Sequence, residues 1–354
     1  MKRMAKQEIP WIHLLRVIAC MMVVCLHTLP PPGEFLCDGL DGKYRYVMSL
    51  LTKPCVPLFF MITGYLILPY KEQNFSLFYK KRIPRVLFPL LFWGVVYSVL
   101  PFLLGMYDLE EMFWELLLSP IKSPGAIGGI LWYLHMLIGI YLIIPFITPA
   151  IYDNHKLMRF YLIIWVFSSI LVIVSRKFPD LTSLLGNNPY EQNFDMTVYF
   201  AGYLGYLLLG VSVKLGMIRN MNGMRLLGRP GGGKSLLVIV YVLTAMVSLK
   251  FNSIDFSFLA FGTVVMTLCI FLLINDIQIS INGLAYRLIK SLSKYSFGIY
   301  LSHMVVFRSL SIWLYEGIGV FWYIQVLCFV VTLVGAYLLT RLIALIPIKK
   351  YMIG

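Results

Sequence analysis

The amino-acid sequence predicts an all-α, polytopic membrane protein: a bundle of about ten transmembrane helices with both termini cytoplasmic. Three observations predict it. Apolar residues make up 60% of the chain and charged residues only 13%, the apolar residues cluster in ten long stretches, and positive charge is unevenly shared between the segments joining them. A water-soluble domain is roughly 45–50% apolar and about 25% charged. A chain of 354 residues with this composition therefore cannot close around one core in water. Hydrocarbon accommodates it, and a helix crosses hydrocarbon with about 20 mostly apolar residues. Little length is left over, so residues 1–354 read as a single integral-membrane domain with no appended soluble domain.

The apolar stretches lie near residues 11–30, 47–69, 84–105, 126–150, 159–175, 198–213, 235–249, 256–274, 295–315 and 320–347. The first follows Lys2, Arg3 and Lys6, as a signal peptide would. It is too long for one and lacks a small-residue cleavage site, so it reads as a retained anchor. With the N-terminus inside, 21 of the 30 Lys and Arg fall on cytoplasmic segments and 6 on outer ones, whereas 12 of the 16 acids fall outside. This is the positive-inside pattern for an even number of spans. The net charge of +14 is then a topology signal and an attraction for anionic membrane lipid. No continuous basic face speaks for nucleic acid. In segment 281–293, Ile281, Leu284, Ala285, Leu288, Ile289 and Leu292 recur at helical spacing around Arg287 and Lys290. That pattern predicts an amphipathic helix lying on the cytoplasmic leaflet, and residues 108–118 predict a similar one outside. The six Cys are scattered without C-x-x-C spacing, so neither a metal site nor a redox motif is expected.

An ionisable residue at bilayer depth is costly and marks a functional candidate. Arg16 and His27 stand eleven residues apart in the first stretch. Eleven steps are three turns plus about 20°, so both project from one helix face, roughly 16 Å apart along the axis. An Arg fork low in the helix suits phosphate, and a neutral imidazole near the outer end can accept a hydroxyl proton. The alternative is that Arg16 snorkels to headgroups and His27 bonds at the interface. Arg82 and Arg85 share a face at the start of the third stretch and would complete a polyphosphate pocket beside Arg16; alternatively they are an ordinary basic flank. His303, Arg308 and His135 either line a cavity or bond neighbouring helices. Gly228 to Ser235 fits the G-x-x-x-x-G-K-[ST] pattern. It sits between two membrane stretches rather than after a buried strand, so it reads as a basic loop and not a nucleotide-hydrolysing P-loop.

Four segments together resemble the acyltransferase-3 family of integral-membrane O-acyltransferases over essentially the whole chain. They are Leu15-Arg16-Val17-Ile18-Ala19 with Val23 to His27; Arg82-Ile83-Pro84-Arg85 with Pro89; Leu131-Trp132-Tyr133-Leu134 with Tyr141; and Gly298-Ile299-Tyr300-Leu301-Ser302-His303. The resemblance implies transfer of an acyl group, usually acetyl from acetyl-CoA as co-substrate, to a hydroxyl of a sugar or glycan precursor. It implies a stand-alone branch in the bacterial inner membrane. It makes His27 the catalytic base and Arg16, Arg82 and Arg85 the acyl-CoA-binding residues. Tyr133, Tyr300 and His303 become candidate cavity residues or oxyanion donors, and no metal is implied. His13 stands where many members carry Asp three residues before the Arg.

Two other classes fit the span count: a transporter or flippase for a polar or lipid-linked saccharide, and a membrane module that binds a small ligand. Visible inverted repeats, which the first would favour, are not found in the sequence. The charge pattern itself is testable. With Cys37 replaced, a cysteine at Lys122 should react with an impermeant maleimide on intact cells. One at Lys290 should react only after permeabilisation; the reverse pattern would invert the topology.

Overall fold

The computed structural model describes residues 8–29, 39–68, 75–125, 127–152, 154–177, 195–218, 232–250, 258–311, 314–315 and 317–354. Among them it is all-helical, without a strand. In chain order the helices are α1 (Pro10–Thr28), α2 (Gly39–Thr52), α3 (Cys55–Ile67), α4 (Phe75–Arg82), α5 (Pro84–Leu103), α6 (Leu109–Leu118), α7 (Trp132–Tyr152), α8 (His155–Lys177), α9 (Asp195–Lys214), α10 (Gly232–Lys250), α11 (Phe261–Asn275), α12 (Leu284–Ser311), α13 (Trp322–Ile343) and α14 (Lys349–Met352). Helical segments accompany all ten apolar stretches. By length and composition, six among the described residues suffice to cross a membrane: Pro10–Thr28, Gly39–Ile67, Phe75–Leu103, Gly128–Thr148, Gly233–Lys250 and Trp322–Ile343.

Proline sets several of the boundaries. The stretch expected over 47–69 is two helices, because Lys53 precedes Pro54 and a residue before proline is driven out of the α region. Helix α3 restarts there, with the Leu58 N–H donating to the Pro54 carbonyl at 2.9 Å. Pro84 likewise opens α5 at a position where its missing N–H costs nothing. Segment 281–293 departs from expectation. It does not form a separate surface helix: residues 284–311 are one continuous helix of 28 residues, since no proline interrupts them. At 1.5 Å per residue α12 is about 42 Å long, so its basic first turns extend beyond a hydrocarbon core of about 30 Å. Helix α6 is short, amphipathic and closed by a capping box between Asp108 and Glu111. Of the P-loop-like segment, residues 228–231 lie outside the described residues, and Lys234 and Ser235 are exposed on the first turn of α10.

Helix α1 is the hub, packing against α2, α3, α11, α12 and α13. The bundle is built inside out relative to a soluble protein. Large apolar side chains point outward from α8 (Phe160, Ile163, Phe167), α10 (Ile239, Leu243, Met246) and α13 (Val330, Val334, Leu338), as a multi-pass membrane protein requires. Where helices approach inside, small residues permit it. A Cβ on Gly64 of α3 would land on the Leu207 carbonyl of α9, and one on Gly210 of α9 would land on the Met61 carbonyl of α3. The two backbones thus touch at reciprocal glycines. Gly64→Ala should lower the unfolding midpoint of the purified protein by several degrees, because overpacking typically costs about 1–3 kcal/mol. Gly129→Ala is the control, since its Cβ would meet nothing within 4 Å.

Candidate active site

A cavity of about 370 Å³ opens between α1, α3, α5, α7 and α12. Each helix contributes one face. Arg16 and Val23 come from α1, Val56 and Phe59 from α3, Arg85 and Val86 from α5, and Tyr133, Leu137 and Tyr141 from α7. Ser293, Lys294, Ser296, Phe297 and Tyr300 come from α12, and Gly354 closes a wall. The intervals of seven on α1, four on α7 and three to four on α12 are those of residues sharing a helix face. Among the described residues, no acidic side chain lines the cavity.

Arg16 and Arg85, on different helices, share this cavity; Arg82 is half-buried beside it rather than lining it. Tyr141 lies close enough to Arg82, Arg85 and Arg16 to feel all three charges, and Tyr133 lies within reach of Arg16. At the adjoining rim, Lys290 Nζ bonds both carboxylate oxygens of Glu8, at 2.7 and 2.9 Å. The Lys290 ammonium holds the Glu8 carboxyl below its ordinary range. His13 Nδ1 sits 2.9 Å from Ser293 Oγ, tying α1 to α12 at the cavity wall.

His27 is half-buried one turn beyond Val23 and is not itself a lining residue. Its Nδ1 lies 2.9 Å from the Val23 carbonyl and 3.2 Å from His303 Nε2. His303 is fully buried, with its own Nδ1 2.6 Å from the Tyr300 carbonyl. A carbonyl only accepts, so His303 carries its proton on Nδ1 and presents the Nε2 lone pair to His27. His27 therefore holds its proton on Nδ1, shared between Val23 and His303. Its Nε2 keeps a free lone pair. Together the Val23 carbonyl and His303 fix both the orientation and the tautomer of the His27 ring.

The three candidate donors differ in what they already bond. The Tyr300 hydroxyl donates to the Ile130 carbonyl, and both His303 nitrogens are engaged. Tyr133 lines the cavity, and its hydroxyl makes no hydrogen bond among the described residues. His135 lies elsewhere, with Nδ1 3.1 Å from the Leu131 carbonyl and Nε2 3.3 Å from that of Ser119. Arg308 Nε is buried without a hydrogen-bond partner among the described residues. Two residues near the site were not singled out from the sequence. Lys294 lines the cavity, and its signal is a shared face with Phe297. Lys53, at the α2–α3 break, lies within electrostatic reach of His27. Among the described residues, no group of His, Cys, Asp and Glu could hold a metal.

A helical bundle with large apolar side chains on its outside and two arginines at one inner cavity defines a class: multi-pass membrane proteins with a basic cavity. The chain belongs to the acyltransferase-3 family, whose acyltransferase domain matches residues 9–341. An amino-acid racemase of Enterococcus faecalis is 34% identical over 86 residues, which are 24% of this chain and 11% of the racemase. The chain thus spans only about a tenth of that curated relative. No solved structure matches.

The tautomer is measurable. In ¹⁵N-histidine spectra of the purified protein, neutral His27 should be protonated at Nδ1 and bare at Nε2. His303→Ala should keep this tautomer, which the Val23 carbonyl fixes, while shifting the Nδ1 resonance. A wild-type ring protonated at Nε2 would remove its capacity to act as a base toward the cavity.

Proposed function

We propose that this membrane acyltransferase moves an acetyl or other short acyl group from cytoplasmic acyl-CoA to a hydroxyl of a sugar, glycan or lipid-linked precursor. The proposal places it in the bacterial cytoplasmic membrane with ten spans and both ends inside. One observation carries the reading: Arg16 and Arg85 face a single cavity that reaches Val23, whose carbonyl holds His27.

In the proposed reaction Arg16 and Arg85, with Arg82 beside them, hold the phosphates of the nucleotide thioester through charge-assisted hydrogen bonds. The thioester arm runs along the cavity past Tyr133. The acceptor hydroxyl gives its proton to His27 Nε2 as its oxygen forms a bond to the thioester carbon. The Tyr133 hydroxyl donates to the oxyanion that develops. The C–S bond then breaks, and the departing thiolate takes the proton back from Nε2. His303 Nε2 accepts from Nδ1–H throughout, so the transient imidazolium is stabilised without a buried carboxylate. The step is written as direct transfer because neither cavity serine bonds His27: Ser293 bonds His13 and Ser296 donates to the Ser293 carbonyl. A second reading, in which the same cavity binds a small amino acid, draws on the segment shared with the racemase.

Transfer of labelled acetyl from acetyl-CoA to an envelope glycan fraction tests the first reading. His27→Ala should lose at least about 10²-fold of the rate; a variant that kept most of it would remove the base assignment. Tyr133→Phe should lower kcat about 10²-fold with unchanged acetyl-CoA affinity. Arg85→Ala should weaken acetyl-CoA binding about tenfold. Calorimetric binding of serine or alanine without binding of acetyl-CoA would favour the second reading.

A further inference from the structure

Three cations from three helices converge on the cavity: Arg16 of α1, Arg85 of α5 and Lys294 of α12. None of them has a carboxylate partner among the described residues. The contrast along α12 is informative. Lys290, one turn before Lys294, is neutralised by Glu8 at 2.7 Å. Lys294 is exposed, packs its ammonium 5.2 Å from the Tyr295 ring, and is left unpaired at the cavity. Three like charges facing one volume repel one another, and each would gain from an anion placed between them. Beside Lys294, Ser293 is buried with its hydroxyl held by His13. A neutral histidine there orients a hydroxyl while adding no negative charge to the wall.

From this arrangement we infer that Lys294 and Ser293 form the third arm of a multi-phosphate site, with His13 as a positioning residue. The ligand class is a nucleotide or other small molecule carrying at least three negative charges on two or more phosphate groups. This deepens the acyl-CoA reading and rests on it only for the identity of the ligand. Arg16 and Arg85 alone would serve a single phosphate or a diphosphate. The third cation, from a third helix, makes the site discriminate by total phosphate charge. Lys294 acts as a point charge at the mouth and not as a bidentate fork, so arginine should replace it.

The experiment measures binding of three probes, CoA, dephospho-CoA and inorganic tripolyphosphate, to the full-length protein in nanodiscs. Lys294→Ala should weaken CoA and tripolyphosphate about tenfold, Lys294→Arg should stay within about threefold of wild type, and Lys290→Ala should leave binding unchanged. His13→Asp, which puts a carboxylate against Ser293, should weaken CoA more than dephospho-CoA. Because Lys294 and Lys290 are exposed, their replacement leaves the fold intact. CoA binding that is insensitive to Lys294 would overturn this inference and leave the donor assignment standing. Tripolyphosphate binding that depends on Lys294, with no CoA binding, would support it and overturn the donor assignment. Binding of none of the probes by wild type would overturn both.

Discussion

Charge cannot be left in hydrocarbon, and the placement of Arg16 follows from that constraint. A guanidinium inside a membrane helix must face water, an anion or the bundle interior. Helix α1 meets the requirement by being the hub: neighbours surround it, and its polar face is turned to the cavity they enclose. The reciprocal glycines of α3 and α9 contribute indirectly. By letting two backbones touch, they hold α3 tightly against α9, while the cavity lies on the side of α3 that faces α1, α5, α7 and α12. A bundle with uniformly close helices would have no room beside Arg16, and one with uniformly distant helices would not hold His27 against His303.

The histidine pair is a consequence of the same packing. His27 sits in the last turn of α1 and His303 deep in α12. Two imidazoles meet at 3.2 Å only because these helices lie side by side along their length. Each ring anchors its Nδ1 on a backbone carbonyl of its own helix, three or four residues earlier. Such an anchor is independent of solvent and of rotamer exchange in the neighbours. The direction of every proton in the pair is thereby dictated by two carbonyls, which can only accept.

Much of this was visible in the sequence, and what was not has physical causes. The Arg16–His27 spacing is a property of one helix, so periodicity alone placed both on a face. The break at Pro54 and the start at Pro84 are local chemistry, although the merging of 47–69 into one stretch hid the first. The continuity of α12 was missed because amphipathic periodicity reports which side of a helix is apolar and not where the helix stops. Lys294 was hidden by its company: on a cytoplasmic flank every lysine satisfies the positive-inside rule, so the one that faces a cavity carries no special mark. The choice among Tyr133, Tyr300 and His303 depends on hydroxyl and ring partners contributed by other helices, which no single-helix pattern contains.

The use of a second histidine, where many hydrolytic sites place a carboxylate, has an electrostatic rationale in this setting. A carboxylate beside His27 would be a permanent buried charge, expensive to desolvate and strongly attracted to Lys53, which already acts on His27. A neutral imidazole offers the same accepting lone pair with no net charge in the resting state. It therefore leaves the positive charge of the cavity lining unneutralised. On this argument the absence, among the described residues, of acidic side chains from the lining and the histidine at position 303 are two expressions of one requirement.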